Sequence, residues 1–125
     1  MPDTKKDQLT RILQGLRKIG DVVGSAVIST DGLPIASDFA QGVDEETFAA
    51  MSAAMHGAAE TAVSELKQGN LKQIIIDADK GRMMTIAAGK NAILVILTKP
   101  EINLGLALLE LGRASGKISD VLGDA

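Results

Sequence analysis

The chain of 125 residues contains no cysteine, no tryptophan and no tyrosine, and His56 is its one histidine. The lack of cysteine excludes disulfides, thiol nucleophiles and thiolate metal sites. A single histidine excludes a metal site built on several histidines, and any serine nucleophile would have to use His56 as its base. We therefore expect neither an enzyme nor a metal or cofactor site.

Positive charge is also scarce, with 13 Lys and Arg against 16 Asp and Glu and a net charge of −3. The sequence has neither basic clusters nor aromatic platforms, which excludes the usual electrostatic footprint of a nucleic-acid binder. The longest continuous apolar run, 92–97, is too short to cross a bilayer, and the N-terminus lacks an apolar leader. These absences predict a soluble, cytoplasmic protein that does not insert into membranes.

The residues that are present suit one folded domain spanning 1–125. Hydrophobic residues make up 46% and charged residues 23%, which are ordinary values for a soluble globular protein. Aromatic residues account for only 2%. The core must therefore be built of aliphatic side chains and methionine.

Periodicity predicts eight elements in the order α-β-β-α-β-β-β-α. Helices are predicted from Leu9 to Ile19, from Asp44 to Gln68 and from Leu104 to Leu122, and strands at 22–29, 34–37, 73–77, 82–88 and 92–98. The gaps between the last three strands are too short for parallel crossovers, so these strands pair antiparallel. Several strands are continuously apolar, so both faces of the sheet need cover. The pattern predicts a three-layer α+β domain, with the long helix on one face and the terminal helices on the other.

The long helix, 44–68, is unusual because it has no properly charged face. At 100° per residue, its predicted core-facing stripe consists of Phe48, Met51, Met55, Ala58, Ala59, Ala62 and Leu66. The opposite face consists of Ala50, Ala53, Ala54, Gly57, Thr61 and Ser64. Alanine could fill exposed positions simply as the best helix former, but Gly57 costs about 1 kcal/mol there and propensity does not explain it. We interpret the small-residue face as a docking surface, for a second copy of the same helix.

The strand that follows the long helix presents a second surface in need of cover. It is expected at an edge of the sheet, and the run from Ile74 to Ile76 contains no lysine, proline or bulge that would prevent pairing. A two-fold dimer that pairs this strand with its copy, beside the paired long helices, covers both surfaces with one interface. The predicted dimer interface comprises Ala50, Ala54, Gly57, Thr61, Ile74, Ile75 and Ile76.

Three short segments and the order of the elements resemble the roadblock family. The segments are the turn at 29–36 (Ser-Thr-Asp-Gly-Leu-Pro-Ile-Ala), the end of the long helix at 65–69 (Glu-Leu-Lys-Gln-Gly), and the stretch at 103–107 (Asn-Leu-Gly-Leu-Ala). The resemblance runs from about Leu9 to about Leu122. The family includes roadblock-type dynein light chains, scaffold subunits that hold signalling GTPases on membranes, and bacterial polarity proteins that stimulate a Ras-like GTPase.

The resemblance implies a five-stranded antiparallel sheet of profilin-like architecture. It also implies dimerisation through the long helix and the next strand into one ten-stranded sheet. In members that bind Ras-like GTPases, the partner docks on the side of the paired long helices. Carried over to this sequence, that surface includes Glu46, Ala53, His56 and Glu60.

Two functions from different classes follow. The first is a non-catalytic homodimeric adaptor or regulator that binds a small Ras-like GTPase, with modulation of GTP hydrolysis left open. The alternative is a sensor domain that binds a small molecule between sheet and helix. Such pockets usually contain aromatic side chains, and this sequence offers only Phe39 and Phe48. A hydrolase ranks last, because of the histidine and cysteine counts.

Overall fold

A computed structural model describes residues 3–40 and 42–123. Its elements are α1 (Lys5–Arg17), β1 (Val22–Ser29), β2 (Pro34–Asp38), α2 (Glu45–Glu65), β3 (Gln73–Ala78), β4 (Gly81–Ala87), β5 (Ala92–Thr98) and α3 (Leu104–Leu122). The five strands form one antiparallel sheet in the order β2-β1-β5-β4-β3. The predicted fold class and element order are confirmed.

The two outer strands are β2 and β3, and the edge position predicted for β3 is confirmed. β2 opens at Pro34, which has no N–H to donate and is tolerated at an edge. β3 pairs with β4 in an unbroken register from Gln73 opposite Ile86 to Ala78 opposite Gly81. Its other side has no neighbour among the described residues of this chain.

Helix caps fix where the two later helices begin. The carboxylate of Asp44 accepts hydrogen bonds from the Thr47 backbone N–H at 3.1 Å and from the Thr47 hydroxyl at 2.9 Å. The backbone bond, followed by the hydroxyl bond, lowers the pKa of Asp44 below its ordinary value. Asn103 Oδ1 accepts from the Leu106 N–H at 3.0 Å and begins α3. These two side chains therefore fix the first turns of α2 and α3.

One face of the sheet is covered by α1 and α3, which also pack against each other. The core between these two helices and the sheet is large and almost entirely apolar. Its fully buried side chains include Leu9, Leu13, Met84, Leu94, Ile96, Leu111 and Ile118.

The other face is covered by α2, and the core there is much smaller. Its buried members are Ala26, Ile28, Ala49, Ile93 and Val95, with Phe39, Phe48, Ala53 and Met83 partly buried around them. The rings of Phe39 and Phe48 meet edge to face, with centroids 5.0 Å apart. This layer therefore contains both aromatic residues of the chain.

The predicted core-facing stripe of α2 is wrong. The residues that α2 buries are Ala49, Ser52 and His56. Of the predicted stripe, Met51 is 67% and Leu66 69% exposed, Ala58 and Ala62 are also exposed, and Phe48, Met55 and Ala59 are half-buried. The helix also lies close to the β1–β2 turn. A Cβ added at Gly32 there would lie 3.3 Å from the Ala50 Cα, which leaves room only for small side chains.

Candidate docking surface

α2 crosses the strands of the sheet instead of running along them. The Phe48 ring packs on Phe39, which follows the end of β2. Ala50 lies on the opposite side of the helix, near Gly32 in the turn where β2 begins. One side of α2 therefore faces the end of the sheet that carries the β1–β2 turn, and the other side faces the Phe39 end.

The predicted helical part of the dimer interface lies on the outside of the molecule. Ala50, Ala54, Gly57 and Thr61 are all exposed on α2. A Cβ at Gly57 would meet no atom within 4 Å, so packing among the described residues gives no reason for glycine there. The Thr61 hydroxyl donates to the Gly57 carbonyl at 3.0 Å, so its hydrogen is already bonded within the helix. These four positions therefore give the outside of α2 a surface of small, uncharged side chains.

The isoleucines of β3 lie on both sides of the sheet. Ile74 pairs with Thr85 and Ile76 with Met83, and both isoleucines are half-buried on the α2 side. Ile75 pairs with Met84 on the side of α1 and α3, and it is 37% exposed. An unpaired edge with three consecutive isoleucines is a template for pairing with another strand.

The four residues predicted to contact a GTPase do not form one exposed patch. Glu46 and Glu60 are exposed, and Ala53 is half-buried close to Gly32. His56, which the resemblance places on the GTPase-facing surface, is only 5% exposed and lies on the buried side of α2. Its Nε2 lies 3.4 Å from Glu60 Oε1, and its Nδ1 has no partner among the described residues.

Buried polar side chains in the α2 layer were not predicted from the sequence. Ser52 and His56 lie on the buried side of α2, and Thr85 of β4 is 0% exposed on the same side of the sheet. Within the described ranges the Thr85 hydroxyl has no hydrogen-bond partner. The alternation of β4 does place Thr85 on the same side of the strand as Met83 and Ala87. A single threonine is common in strands, however, so this pattern does not predict a buried hydroxyl.

Beside α2, on the Phe39 end, the sheet carries an open apolar hollow of about 380 Å³. Its principal apolar residues are Val23, Ile76, Met83 and Leu97, and these four are called the apolar hollow below. Ile76, Met83 and Leu97 form one cross-strand row on the α2 side. Val23 is 42% exposed. Lys80 and Arg82 line the rim, and Arg82 is paired with Asp77.

Residues 3–40 and 42–123 include no helix that is both long and apolar enough to span a membrane. The same residues include no group of three His, Asp or Glu side chains close enough to hold a metal ion.

The sequence model of the Roadblock/LC7 domain matches residues 9–98 of this chain. The chain is a member of the Roadblock/LC7 family. An uncharacterised protein of Methanocaldococcus jannaschii, MJ0310, is 40% identical over 110 residues, which cover 88% of this chain and 96% of that protein.

Solved structures agree on the fold. MglB of Myxococcus xanthus matches with a TM-score of 0.89 at 17% identity, covering 98% of this chain and 93% of its own. Profilin IB of Acanthamoeba castellanii matches with a TM-score of 0.66 at 15% identity, and the match covers 90% of this chain and 97% of the profilin chain. At these identities the likeness shows the fold alone, and it confirms the predicted roadblock and profilin-like architecture.

Proposed function

We propose that this protein is a non-catalytic homodimeric adaptor or regulator, and that its α2 side binds a small Ras-like GTPase. The observation that carries the proposal is the outside of α2, where Ala50, Ala54, Gly57 and Thr61 are exposed. Membership of the Roadblock/LC7 family supports it, because that family includes scaffolds and regulators of Ras-like GTPases.

Self-association is proposed through two neighbouring surfaces, the free edge of β3 and the exposed surface of α2. The helical residues predicted for this contact are Ala50, Ala54, Gly57 and Thr61, and the strand residues are Ile74, Ile75 and Ile76. Pairing of two β3 edges would satisfy their free backbone groups and join two sheets into one. It would also bring two copies of α2 to the same face, where a larger partner can dock.

The GTPase surface is proposed on the polar rims of α2. Glu46 and Glu60 are exposed and can meet basic side chains, while Ala53 and His56 lie underneath. α2 contains no arginine or lysine, so it offers no arginine finger. Any stimulation of GTP hydrolysis would then come from repositioning the partner's own groups.

Self-association is tested by sedimentation of two variants, Ile75→Lys and Ala54→Glu. Each places a charge in the proposed interface, and we expect monomers or aggregates where the parent chain is a dimer. Leu109→Lys is the matched control, because Leu109 is 52% exposed on α3, in the opposite layer. A dimer that persists in both interface variants would refute the proposed interface.

GTPase binding is tested by titrating the chain with the cognate GTPase, loaded with GDP or with a GTP analogue. We expect binding in at least one nucleotide state, and we expect Glu46→Lys combined with Glu60→Lys to weaken it. Binding in neither state would count against the proposal. A thermal-shift screen against metabolites addresses the sensor alternative, and we expect no shift across the panel.

A further inference from the structure

The β1–β2 turn is a tight loop whose backbone is fixed by its own hydrogen bonds. The Ser29 N–H donates to the Leu33 carbonyl at 2.8 Å, and the Gly32 N–H donates to the Ser29 carbonyl at 3.0 Å. The Ser29 hydroxyl accepts a hydrogen bond from the Leu33 N–H at 3.0 Å. Both backbone polar groups of Leu33 are therefore bonded within the turn.

Two neighbouring segments hold the turn from outside. The Thr30 N–H donates to the carbonyl of Asn91, just before β5, at 3.0 Å. On the α2 side, a Cβ at Gly32 would lie 3.3 Å from the Ala50 Cα and 3.8 Å from the Ala53 Cβ. The turn is thus held against both the sheet and α2, and the backbone of Leu33 has a fixed position beside the helix.

The Leu33 side chain is exposed although its backbone is held in this way. Its exposed fraction is 65%. A single exposed leucine is ordinary at a protein surface, so its surroundings decide its meaning. Burying it in a partner is favourable, and a side chain on a fixed backbone loses little conformational freedom when it binds. Leu33 is therefore pre-organised for a contact with another protein.

The side of α2 that meets the turn carries an acidic residue on either side of this point. Ala50 and Ala53 lie next to the turn, and at about 100° per residue Glu46 and Glu60 fall on the same side of the helix. Both glutamates are exposed, and they stand about 21 Å apart along the helix axis. Ala53 lies midway between them in the sequence. Leu33 therefore stands near the centre of a surface with an acidic residue at each end.

The charges around Leu33 are mainly negative. Glu46 and Glu60 belong to α2, which contains no lysine or arginine, and Asp31 is exposed in the turn itself. Lys90, in the turn between β4 and β5, already takes part in an interaction within the chain. A complementary partner has an apolar pocket with basic side chains at its rim, because interfaces match an apolar centre with a polar margin of opposite charge.

We propose that Leu33 is the apolar anchor of the GTPase contact, and that it enters an apolar pocket of the GTPase whose basic rim meets Glu46 and Glu60. This inference rests on the GTPase binding of the proposed function. It adds the β1–β2 turn to a surface assigned there to α2 alone. It also orients the partner, which lies over the side of α2 that meets the turn and not over the Phe39 end.

The affinity of the GTPase for single-site variants tests the anchor. Leu33→Ala should raise the dissociation constant about tenfold or more, because most of the buried apolar contact is lost. Met51→Ala is the matched control and should stay within about twofold of the parent chain. Met51 is 67% exposed on α2, and it lies about 160° around the helix from Ala53. Leu33→Met should keep most of the affinity, since methionine has a similar apolar volume.

The outcomes separate the anchor from the GTPase binding on which it rests. Equal effects of Leu33→Ala and Met51→Ala would overturn the anchor while GTPase binding stands. A larger loss with Met51→Ala would also overturn it, and would move the partner to the Phe39 end. If the parent chain binds the GTPase in neither nucleotide state, the proposed function fails and the anchor fails with it. Sedimentation and circular dichroism of Leu33→Ala check that self-association and fold match those of the parent chain.

A fluorescent probe in the turn gives a second, independent test. The chain has no cysteine, so Thr30→Cys can carry one environment-sensitive dye on an exposed position of the turn while Leu33 is kept. A saturating concentration of the GTPase should shift the emission to shorter wavelength, because the dye loses contact with water. The same dye on Met51→Cys should show no shift. A shift at position 51 and none at position 30 would contradict the proposal.

Discussion

The two faces of the sheet differ in how completely one chain can cover them. Between the sheet and the α1–α3 pair, large aliphatic side chains such as Leu13, Leu94 and Leu111 are fully shielded. Between the sheet and α2, the contact is made by Ala49, Ser52 and His56. Phe48 and Ala53 are partly buried beside these residues, whereas Met51 and Leu66 lie outside the contact and are exposed.

This difference separates stability from function within one small domain. The α1–α3 side excludes water from most of its apolar surface, and it provides the cohesion that a domain of this size needs. The α2 side keeps an exposed helix, an open apolar hollow and an unpaired strand edge next to one another. Surfaces of this kind are typical of association sites.

The largest expected effect is on the α1–α3 side. Leu13→Ala should lower the free energy of unfolding by about 2–5 kcal/mol, because it leaves a cavity in a closed core. Leu66→Ala should change it by less than about 0.5 kcal/mol, since Leu66 is exposed in the single chain. Chemical denaturation in the Ile75→Lys background measures both without a contribution from self-association. Equal losses would remove the distinction between the two faces.

A smaller effect is expected from the buried hydroxyls. Thr85→Val should raise the free energy of unfolding by about 1 kcal/mol, because the Thr85 hydroxyl is buried without a partner within the described ranges. Thr98→Val is the control, since Thr98 is also buried but its hydroxyl donates to the Lys99 carbonyl at 3.0 Å. It should be neutral or destabilising. Stabilisation by Thr98→Val and not by Thr85→Val would reverse this interpretation.

The smallest expected effect is at the start of α2. Asp44→Ala should lower the melting temperature by a few degrees at neutral pH, because the N-cap hydrogen bonds are lost. The pKa of Asp44 is lowered in the folded state, so its stabilisation is present above its unfolded pKa and is lost as the pH falls through the folded pKa. The difference between the parent chain and the variant should therefore shrink from neutral pH to a pH well below the unfolded pKa of about 4. Melting curves at both pH values measure it, and a constant difference would contradict it.

Much of the fold could be predicted from the sequence because its signals are local. Asp44 and Asn103 begin helices through their own side chains. Gly32 marks the β1–β2 turn, with a φ of +92° that other residues rarely adopt. Continuously apolar strands predict cover on both faces, and the short gaps after β3 leave only antiparallel pairing.

The rotation of α2 could not be predicted in this way, because it depends on a distant contact. A helical wheel assigns the largest apolar side chains to the core, which favours Met51 and Leu66. The buried side instead carries Ala49, Ser52 and His56, none of which is a large apolar side chain. His56, which the resemblance places on the partner-facing surface, is likewise on the buried side of the helix. The residues of the proposed GTPase surface come from the family resemblance, which gives the position of the helix and not its rotation.

Sedimentation equilibrium of the unmodified chain is the most direct test of the central claim, that the α2 side is completed by association. The account predicts a species of twice the chain mass at micromolar concentration, which the single substitution Ile75→Lys converts to a monomer or an aggregate. A parent chain that stays monomeric at every concentration would contradict it.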